Sequence, residues 1–297
     1  MTEELRKSLN HALNVHGYAF QYSVLKAARN LHDTGFSPWV FEAAEFPVAI
    51  NDKSLHIDFI LRNKNESAYL VAECKRCDPS ISNWCFVKAP YVSRSISSGG
   101  ERVVRELLFK KRDSSQIRSG LQWIVRTNEL YHLPFELKNR EKGEGHYGRG
   151  QINEAVTQVL RGLNGIVDLA VESEMNNRRA FFKFDQRDNL YATFMPVIFT
   201  TANLWTCNSD ISEADIDTGN IVLSAAKLTE KKWLFYQYSQ SPDLKHSHTA
   251  LRQDVDISKI LYLDYTRTIP IVNAAAISDF LSNSFWQHPD DWQTDLP

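Results

Sequence analysis

The chain has 297 residues, of which 43% are hydrophobic and 24% are charged, the proportions of an ordinary globular protein with room for a sizeable core. Its formal net charge of −2 excludes a molecule that is basic all over, so a polyanionic partner would have to be held by a local patch. Four cysteines are too few for a disulfide framework. The polar first residues are unlike a secretory signal, and no apolar run reaches the roughly 20 residues of a membrane-spanning helix. We therefore expect a cytoplasmic protein without a membrane partner.

Two helices are predicted over residues 3–33, where apolar side chains recur at helical spacing. The pair His16-Gly17 interrupts this pattern, because Gly17 can take the left-handed conformation of a helix end. Gly35 and Pro38 close the segment.

A three-strand meander is predicted after these helices. Extended runs rich in apolar residues alternate with short polar turns. The runs cover residues 39–50, 55–61 and 68–74. Because the turn between the second and third runs is short, we expect these two strands to be antiparallel neighbours.

Residues 94–150 carry twelve lysines and arginines against seven acids, a net charge of +5. Glycine-containing stretches at both ends are flexible by composition. We predict that this segment, within an insertion at 76–150, presents a helical face that grips phosphates. The alternative is a mixed-charge surface insertion, because seven acids are interleaved. The cations of the predicted face are Arg102, Arg105, Lys110, Lys111 and Arg112, with Trp123, Tyr131 and Tyr147 for stacking on bases.

A further helix is predicted from about residue 151 to residue 163, with Gly165 supporting its end. A last helix is expected at 274–281, before a loose tail. Residues 176–297 as a whole either continue the sheet or form a second lobe. Strand-like runs within them lie at 180–184, 191–199, 221–225, 233–238 and 260–263.

Three polar side chains interrupt the hairpin of the second and third strands. Asp58 lies inside an apolar strand, and Glu73 and Lys75 end the next one. Residues two apart on a strand face the same side, so Glu73 and Lys75 project together while Cys74 points away. Antiparallel pairing brings Asp58 beside Glu73. The sequence therefore predicts two carboxylates and one ammonium converging at a sheet edge.

This set of groups favours metal-dependent chemistry on a phosphodiester. Two adjacent carboxylates repel each other unless one is protonated or a cation lies between them. Hard oxygen ligands suit Mg²⁺, or Mn²⁺ in its place, and Mg²⁺ accepts one or two protein carboxylates while it keeps several waters. Such an ion polarises a phosphoryl oxygen and lowers the pKa of a bound water. Lys75 would orient that water or help to deprotonate it before in-line attack.

The order Asp58, fourteen further residues, then Glu73-Cys74-Lys75 resembles the PD-(D/E)XK nuclease superfamily, which includes restriction endonucleases and Holliday-junction resolvases. The order of elements is similar as well: a helix, an acid-bearing strand, and then the hairpin. The proline that the family places before the aspartate is Ile57 here. The resemblance covers about residues 16–77, extends to one later helix, and is silent on most of the last 118 residues.

The resemblance implies an α/β fold with a restriction-endonuclease-like core, a mixed β-sheet flanked by helices, within residues 1–175. Asp58 and Glu73 would hold the metal, and Lys75 would complete the catalytic set. Gln21 lies on the helix where the family often places a glutamate or glutamine near the metal. Gln158 resembles a glutamine that some members aim at the active site.

Other residues are open to more than one interpretation. Glu45 would be a further metal ligand, but Glu42 is an alternative candidate for that role. For Gln21, Gln158 and either glutamate, a solvent-exposed surface position is the alternative interpretation.

The four cysteines offer soft ligands for zinc or an iron–sulfur cluster. Buried free thiols are the alternative, which the absence of a second zinc-ligand pair favours. The cysteines are Cys74, Cys77, Cys85 and Cys207.

As for function, the resemblance implies a metal-dependent endonuclease that acts on DNA rather than RNA. It further implies a role in restriction or phage defence, with a partner subunit or as a homodimer. One alternative is a non-catalytic nucleic-acid-binding or scaffold module that retains the nuclease fold. Another is a metabolic enzyme with an unfamiliar pocket, which a stabilising small molecule would reveal.

Overall fold

The protein folds as a mixed α/β structure, with a ten-stranded sheet that lies between helices and a separate four-stranded sheet. In the computed structural model, no helix among the described residues is long and apolar enough to cross a membrane. The described residues are 2–15, 17–50, 53–63, 67–77, 82–88, 101–127, 130–137, 150–178, 180–184, 189–207, 214–220, 228–239 and 265–282.

The helices at the amino terminus confirm the pattern seen in the sequence. The predicted break lies between the first two of them, where Gly17 has φ 75° in the left-handed region. The predicted helix at 274–281 forms as a 3₁₀ turn, Ala274–Ala276, that runs into a short α-helix. The α-helices are α1 (Glu3–Val15), α2 (Tyr18–Asp33), α3 (Gly150–Met175) and α4 (Ile277–Leu281).

Fourteen strands belong to the described part of the chain. The predicted meander is confirmed, because β1, β2 and β3 pair in order and antiparallel. The strands are β1 (Trp39–Ile50), β2 (Lys53–Asn63), β3 (Ala68–Lys75), β4 (Asn83–Val87), β5 (Glu101–Lys110), β6 (Arg118–Thr127), β7 (Leu130–Tyr131), β8 (Leu133–Leu137), β9 (Lys183–Phe184), β10 (Leu190–Thr200), β11 (Asn203–Cys207), β12 (Leu228–Lys231), β13 (Trp233–Ser239) and β14 (Thr266–Asn273).

Strand β10 is the centre of the large sheet. It pairs in parallel with β3 along eight residues, so that Ile198 lies beside Glu73 and Thr200 beside Lys75. On its other side it pairs first with β5, antiparallel, and then with β14, parallel. The sheet order is β1-β2-β3-β10-β14-β13-β7, with β5, β6 and β9 attached through β10. Strands from the last third of the chain therefore continue the same sheet.

Two hydrophobic layers hold this sheet between helices. One face of the sheet packs against α3, whose apolar side chains join Tyr69 and Val71 of β3. The other face packs against α2 and α4, whose side chains join Leu70 and Ala72 of the same strand. Because β3 alternates between the two layers, Glu73 and Lys75 continue the row that faces α3, and Cys74 contacts the opposite layer.

The predicted helical face in the basic segment is wrong. Residues 101–110 form strand β5, which lies in the large sheet between β10 and β6. Its apolar residues, among them Val103, Leu107 and Leu108, are buried in the sheet. The prediction failed because the charged residues between valine and leucine were interpreted as one face of a helix. In the structure these charged and apolar residues lie along a β-strand.

The later strand predictions met mixed outcomes. The runs at 191–199 and 233–238 are strands, as predicted, but the run at 180–184 contains only the two-residue strand β9. The runs at 221–225 and 260–263 and the tail lie outside the described residues. Strands β11, β12 and β14 were not predicted.

The predicted end of the long helix at Gly165 is also wrong, since α3 continues to Met175. Gly165 lies in the middle of the helix, where it allows close contact with strand β1. A Cβ built at this position would be 2.6 Å from Cβ of Val48. The glycine therefore serves packing between a helix and a sheet rather than the end of a helix.

Gly165→Ala is expected to destabilise the protein by about 1–3 kcal/mol, even though alanine favours a helix by about 1 kcal/mol over glycine. The clash is with Cβ of Val48, so no change of the valine rotamer relieves it. Urea denaturation measures the effect. Gly150→Ala in the same helix is the control, because a Cβ there meets nothing within 4 Å. Equal stability of the two variants would contradict this account of the helix.

Candidate active site

The carboxyl end of β3 opens into a cleft of about 260 Å³ between α2 and α3. All three residues of the predicted catalytic set line this cleft. The three additional candidate residues from the sequence analysis line the cleft as well. The six are Asp58, Glu73, Lys75, Gln21, Glu45 and Gln158.

Asp58 and Glu73 meet where strands β2 and β3 separate. The backbone ladder between these strands ends at the pair Phe59 and Ala72, so Asp58 and Glu73 are the next residues on each side. Instead of a further backbone pairing between the strands, the Cys74 amide donates a hydrogen bond of 2.6 Å to Oδ2 of Asp58. This bond fixes the Asp58 carboxylate against β3, beside Glu73.

Both carboxylates have raised pKa values, and burial is the main cause. Burial raises the pKa of Glu73 well above its usual value, and the nearby charge of Asp58 raises it further. Burial likewise raises the pKa of Asp58 to about 6, although the bond from the Cys74 amide opposes the rise. Two largely buried carboxyl groups with raised pKa values favour either a shared proton or a bound cation over ionisation of both groups.

The donor set fits a hard divalent cation. It offers carboxylate oxygens, which Mg²⁺ prefers, and two protein carboxylates suffice for an ion that keeps most of its waters. The observation that supports the fit is repulsion among these acids: the charge of Asp58 raises the pKa of Glu73, and the charge of Glu45 raises the pKa of Asp58. A cation placed among the carboxylates would relieve this repulsion. Among the described residues no group of three or more histidine, cysteine, aspartate or glutamate side chains forms a ready-made metal cage.

Gln21 of α2 links Glu45 of β1 to the backbone of Asp58. Gln21 is 3% exposed, and its Nε2 donates to Oε1 of Glu45 at 2.7 Å and to the Asp58 carbonyl oxygen at 2.8 Å. Glu45 lies opposite Asp58 with φ 49°, a left-handed conformation that is uncommon for residues other than glycine. Such backbone conformations cluster at functional sites.

The structure also separates the two glutamates of β1. Glu42 points away from the cleft and accepts a hydrogen bond of 2.9 Å from Nε of Arg62, at the exposed surface. Glu45 contributes to the cleft and raises the pKa of both Asp58 and Glu73. Of the two, Glu45 is the residue at the site.

Lys75 reaches a partner that the sequence did not single out. Its Nζ lies 2.6 Å from Oε2 of Glu154, in the first turns of α3. Glu154 and Gln158 are four residues apart and so lie on the same face of that helix. This spacing is the signal that could have identified Glu154, once Gln158 had been placed at the site.

The cysteines do not build a metal centre with one another in the described residues. All four are free thiols. Cys77 is 6% exposed, and its sulfur lies 3.3 Å from Oγ1 of Thr200, while burial raises its pKa to about 11. Cys85 and Cys207 pack together in the small sheet.

The candidate phosphate-binding residues lie away from the cleft or bind protein groups. Arg105 is 7% exposed, and its Nε donates to Oε1 of Gln122 at 2.8 Å. Nζ of Lys110 lies 2.8 Å from Oε1 of the buried Glu174. Neither side chain is therefore placed as a surface grip for phosphates.

The cluster Lys110-Lys111-Arg112 is at the other end of the sheet. Lys110 pairs with Leu190, which precedes Ile198, the neighbour of Glu73, by eight residues of β10, or about 26 Å. Lys111 and Arg112 are exposed there. The side chain of Arg102 is outside the described set, as are that of Trp123 and the whole of Tyr147. Tyr131, expected to stack on bases, is 2% exposed.

The cleft thus combines three carboxylates, those of Asp58, Glu73 and Glu45, with the ammonium of Lys75 and the amide side chains of Gln21 and Gln158. Carboxylates with raised pKa values next to a lysine are suited to binding a divalent cation and an anionic ligand together. The chain matches no protein-family model, no curated protein and no solved structure, so the chemistry of the site follows from its own residues alone.

Proposed function

We propose that this protein is a Mg²⁺-dependent nuclease that hydrolyses phosphodiester bonds, with DNA as its substrate. One observation carries the proposal: Asp58, Glu73 and Lys75 line one cleft, where burial and neighbouring acids raise the pKa values of both carboxylates. Mn²⁺ would satisfy the same ligands. The resemblance to the PD-(D/E)XK superfamily points to the same chemistry from the sequence.

The chain's own residues divide the work as follows. Asp58 and Glu73 bind the ion, and the Cys74 amide keeps the aspartate in place. When bound there, Mg²⁺ lowers the pKa of a coordinated water and polarises a phosphoryl oxygen. Lys75 holds an anionic oxygen of the substrate or orients the attacking water. Gln158 lines the α3 side of the cleft, where its amide is available to the substrate.

The biological setting follows by analogy with the resembling superfamily. Restriction or phage defence is the role we propose, in which the chain acts with a partner subunit or as a homodimer. The core of residues 39–75 and the flanking helices α2 and α3 would then correspond to the restriction-endonuclease-like fold.

Incubation of the protein with plasmid DNA and Mg²⁺ tests the activity directly. Nicked or linear plasmid should appear with Mg²⁺ or Mn²⁺ and should not appear when EDTA removes the metal. Binding of DNA without cleavage in any divalent metal would instead support the non-catalytic module. Stabilisation by a small metabolite, with no response to nucleic acid, would support an unrelated enzyme.

Gln21→Ala is expected to weaken metal binding about 10- to 100-fold without unfolding the protein. The change removes both hydrogen bonds that fix Glu45 and the Asp58 carbonyl. Titration calorimetry with Mn²⁺ measures the loss. Asn30→Ala, on the exposed face of the same helix, is the control and should bind Mn²⁺ like the parent protein. An unchanged affinity in Gln21→Ala would remove Gln21 from the site.

A further inference from the structure

The contact between Lys75 and Glu154 is the starting point. The two side chains form an ion pair with 2.6 Å between Nζ and Oε2. Their exposure differs: the lysine side chain is 19% exposed and the glutamate side chain 56%. A pair that is open to water on one side contributes little to stability.

The backbones on both sides of this contact are fixed. Lys75 ends β3 in register with Thr200 of β10. The start of α3 is fixed by Glu136, which is 3% exposed and accepts a hydrogen bond of 2.8 Å from the Ile152 amide. Movement at the contact is therefore limited to side chains, and the exposed glutamate can turn into solvent more easily than the half-buried lysine.

The Glu154 carboxylate places an anionic oxygen on the ammonium of Lys75, at the mouth of the cleft. A non-bridging phosphate oxygen has the same charge and makes the same kind of charge-assisted hydrogen bond. An incoming phosphodiester and the carboxylate would thus compete for one face of one ammonium group.

We propose that Glu154 is an electrostatic gate for the substrate: its carboxylate occupies Lys75 in the free protein and is displaced when a phosphodiester binds. The inference rests on the proposed function for its ligand class, and it adds a residue that sets substrate affinity. Removal of the Glu154 charge leaves Lys75 free to bind phosphate from the start.

The test measures binding of a short fluorescein-labelled DNA duplex by anisotropy, with Ca²⁺ as the hard divalent cation. Glu154→Gln is expected to lower Kd about three- to fivefold, because the carboxylate of one exposed ion pair no longer competes with the phosphate for Lys75. The matched control is Glu172→Gln, an exposed glutamate of the same helix about 27 Å farther along its axis. It should leave Kd unchanged.

Lys75→Met provides the second arm, because a gate that acts through Lys75 has nothing to release without it. The Kd values of Lys75→Met and of Lys75→Met with Glu154→Gln should agree within error. An unchanged or higher Kd in Glu154→Gln overturns the gate. So does an equal gain in the Lys75→Met background or in Glu172→Gln, since either would show a general charge effect, and so does a failure of all variants to bind the duplex.

Cleavage kinetics separate the gate from the function. In an active nuclease, Glu154→Gln should lower KM and leave kcat within about twofold, whereas structural damage would lower kcat and the melting temperature. If the binding pattern holds and no variant cleaves DNA, the gate stands and the nuclease proposal falls. If the parent cleaves and the binding pattern is absent, the nuclease proposal stands and the gate falls.

Discussion

Glu73→Gln is expected to lower the rate of plasmid cleavage by about 10³-fold or more, close to the uncatalysed background. Glutamine has nearly the size of glutamate, so the 8% exposed position remains filled and the loss is one of charge. In the proposed nuclease, Glu73 would no longer hold the ion with Asp58, so metal affinity and the positioning of the attacking water would fall together. Gel assays of supercoiled plasmid, sampled over hours, measure the rate.

The companion variants sharpen this test. Asp58→Asn and Lys75→Met should be as inactive as Glu73→Gln, because residues that act as a unit do not contribute additively. Glu42→Gln is the control: it removes a carboxylate from the same meander, but one that binds Arg62 at the surface. It should cleave plasmid like the parent. Full activity in Glu73→Gln, or equal loss in Glu42→Gln, would exclude the assignment of the site.

The second large effect concerns the stability of the protein without metal. Its free energy of unfolding is expected to fall as the pH rises from about 4 to about 7. Asp58 has a pKa of about 6 in the folded protein, against 3.8 ordinarily, and that of Glu73 is raised as well. At a pH between the unfolded and the folded pKa, the folded state keeps protons that the unfolded chain has lost. The contribution of these protons to the free energy of unfolding is therefore complete at low pH and disappears as the pH rises past the folded pKa. For Asp58 alone the difference corresponds to roughly 3 kcal/mol.

Asp58→Asn therefore should stabilise the metal-free protein at neutral pH by about 1–3 kcal/mol, although we expect it to abolish plasmid cleavage. Urea denaturation in EDTA, repeated along a pH series, measures both the gain and the flatter pH dependence of the variant. Mg²⁺ should stabilise the parent at neutral pH and should have little effect on Asp58→Asn. If the free energy of unfolding changed with pH in the same way for the parent and for Asp58→Asn, the ionised Asp58 carboxylate would not destabilise the folded protein.

The parts of the fold and site that could be predicted depend on short-range patterns. The break at Gly17, the three-strand meander and the projection of Glu73 and Lys75 to one side all follow from spacing within a few residues. The pairing of Asp58 with Glu73 follows from one short turn. For these reasons the centre of the site was available from the sequence alone.

The parts that could not be predicted depend on contacts between distant segments. Arg105 is charged yet buried, because Gln122 on the neighbouring strand satisfies it. Gly165 was interpreted as a helix end because its close contact with Val48 is invisible without the sheet. Glu154 meets Lys75 from 79 residues away. Each of these positions is decided by a partner that local periodicity does not reveal.

The central place of β10 also governs when the cleft can exist. Glu73 and Lys75 are translated about 125 residues before Ile198 and Thr200, the neighbours that fix them in register. Contacts this distant in sequence carry a high loop-closure cost and form late in folding. A ribosome-bound chain that ends before β10 holds the acids and the lysine on an unsupported edge. The cleft should therefore form in the nascent protein only after Thr200, at the end of β10, has been synthesised.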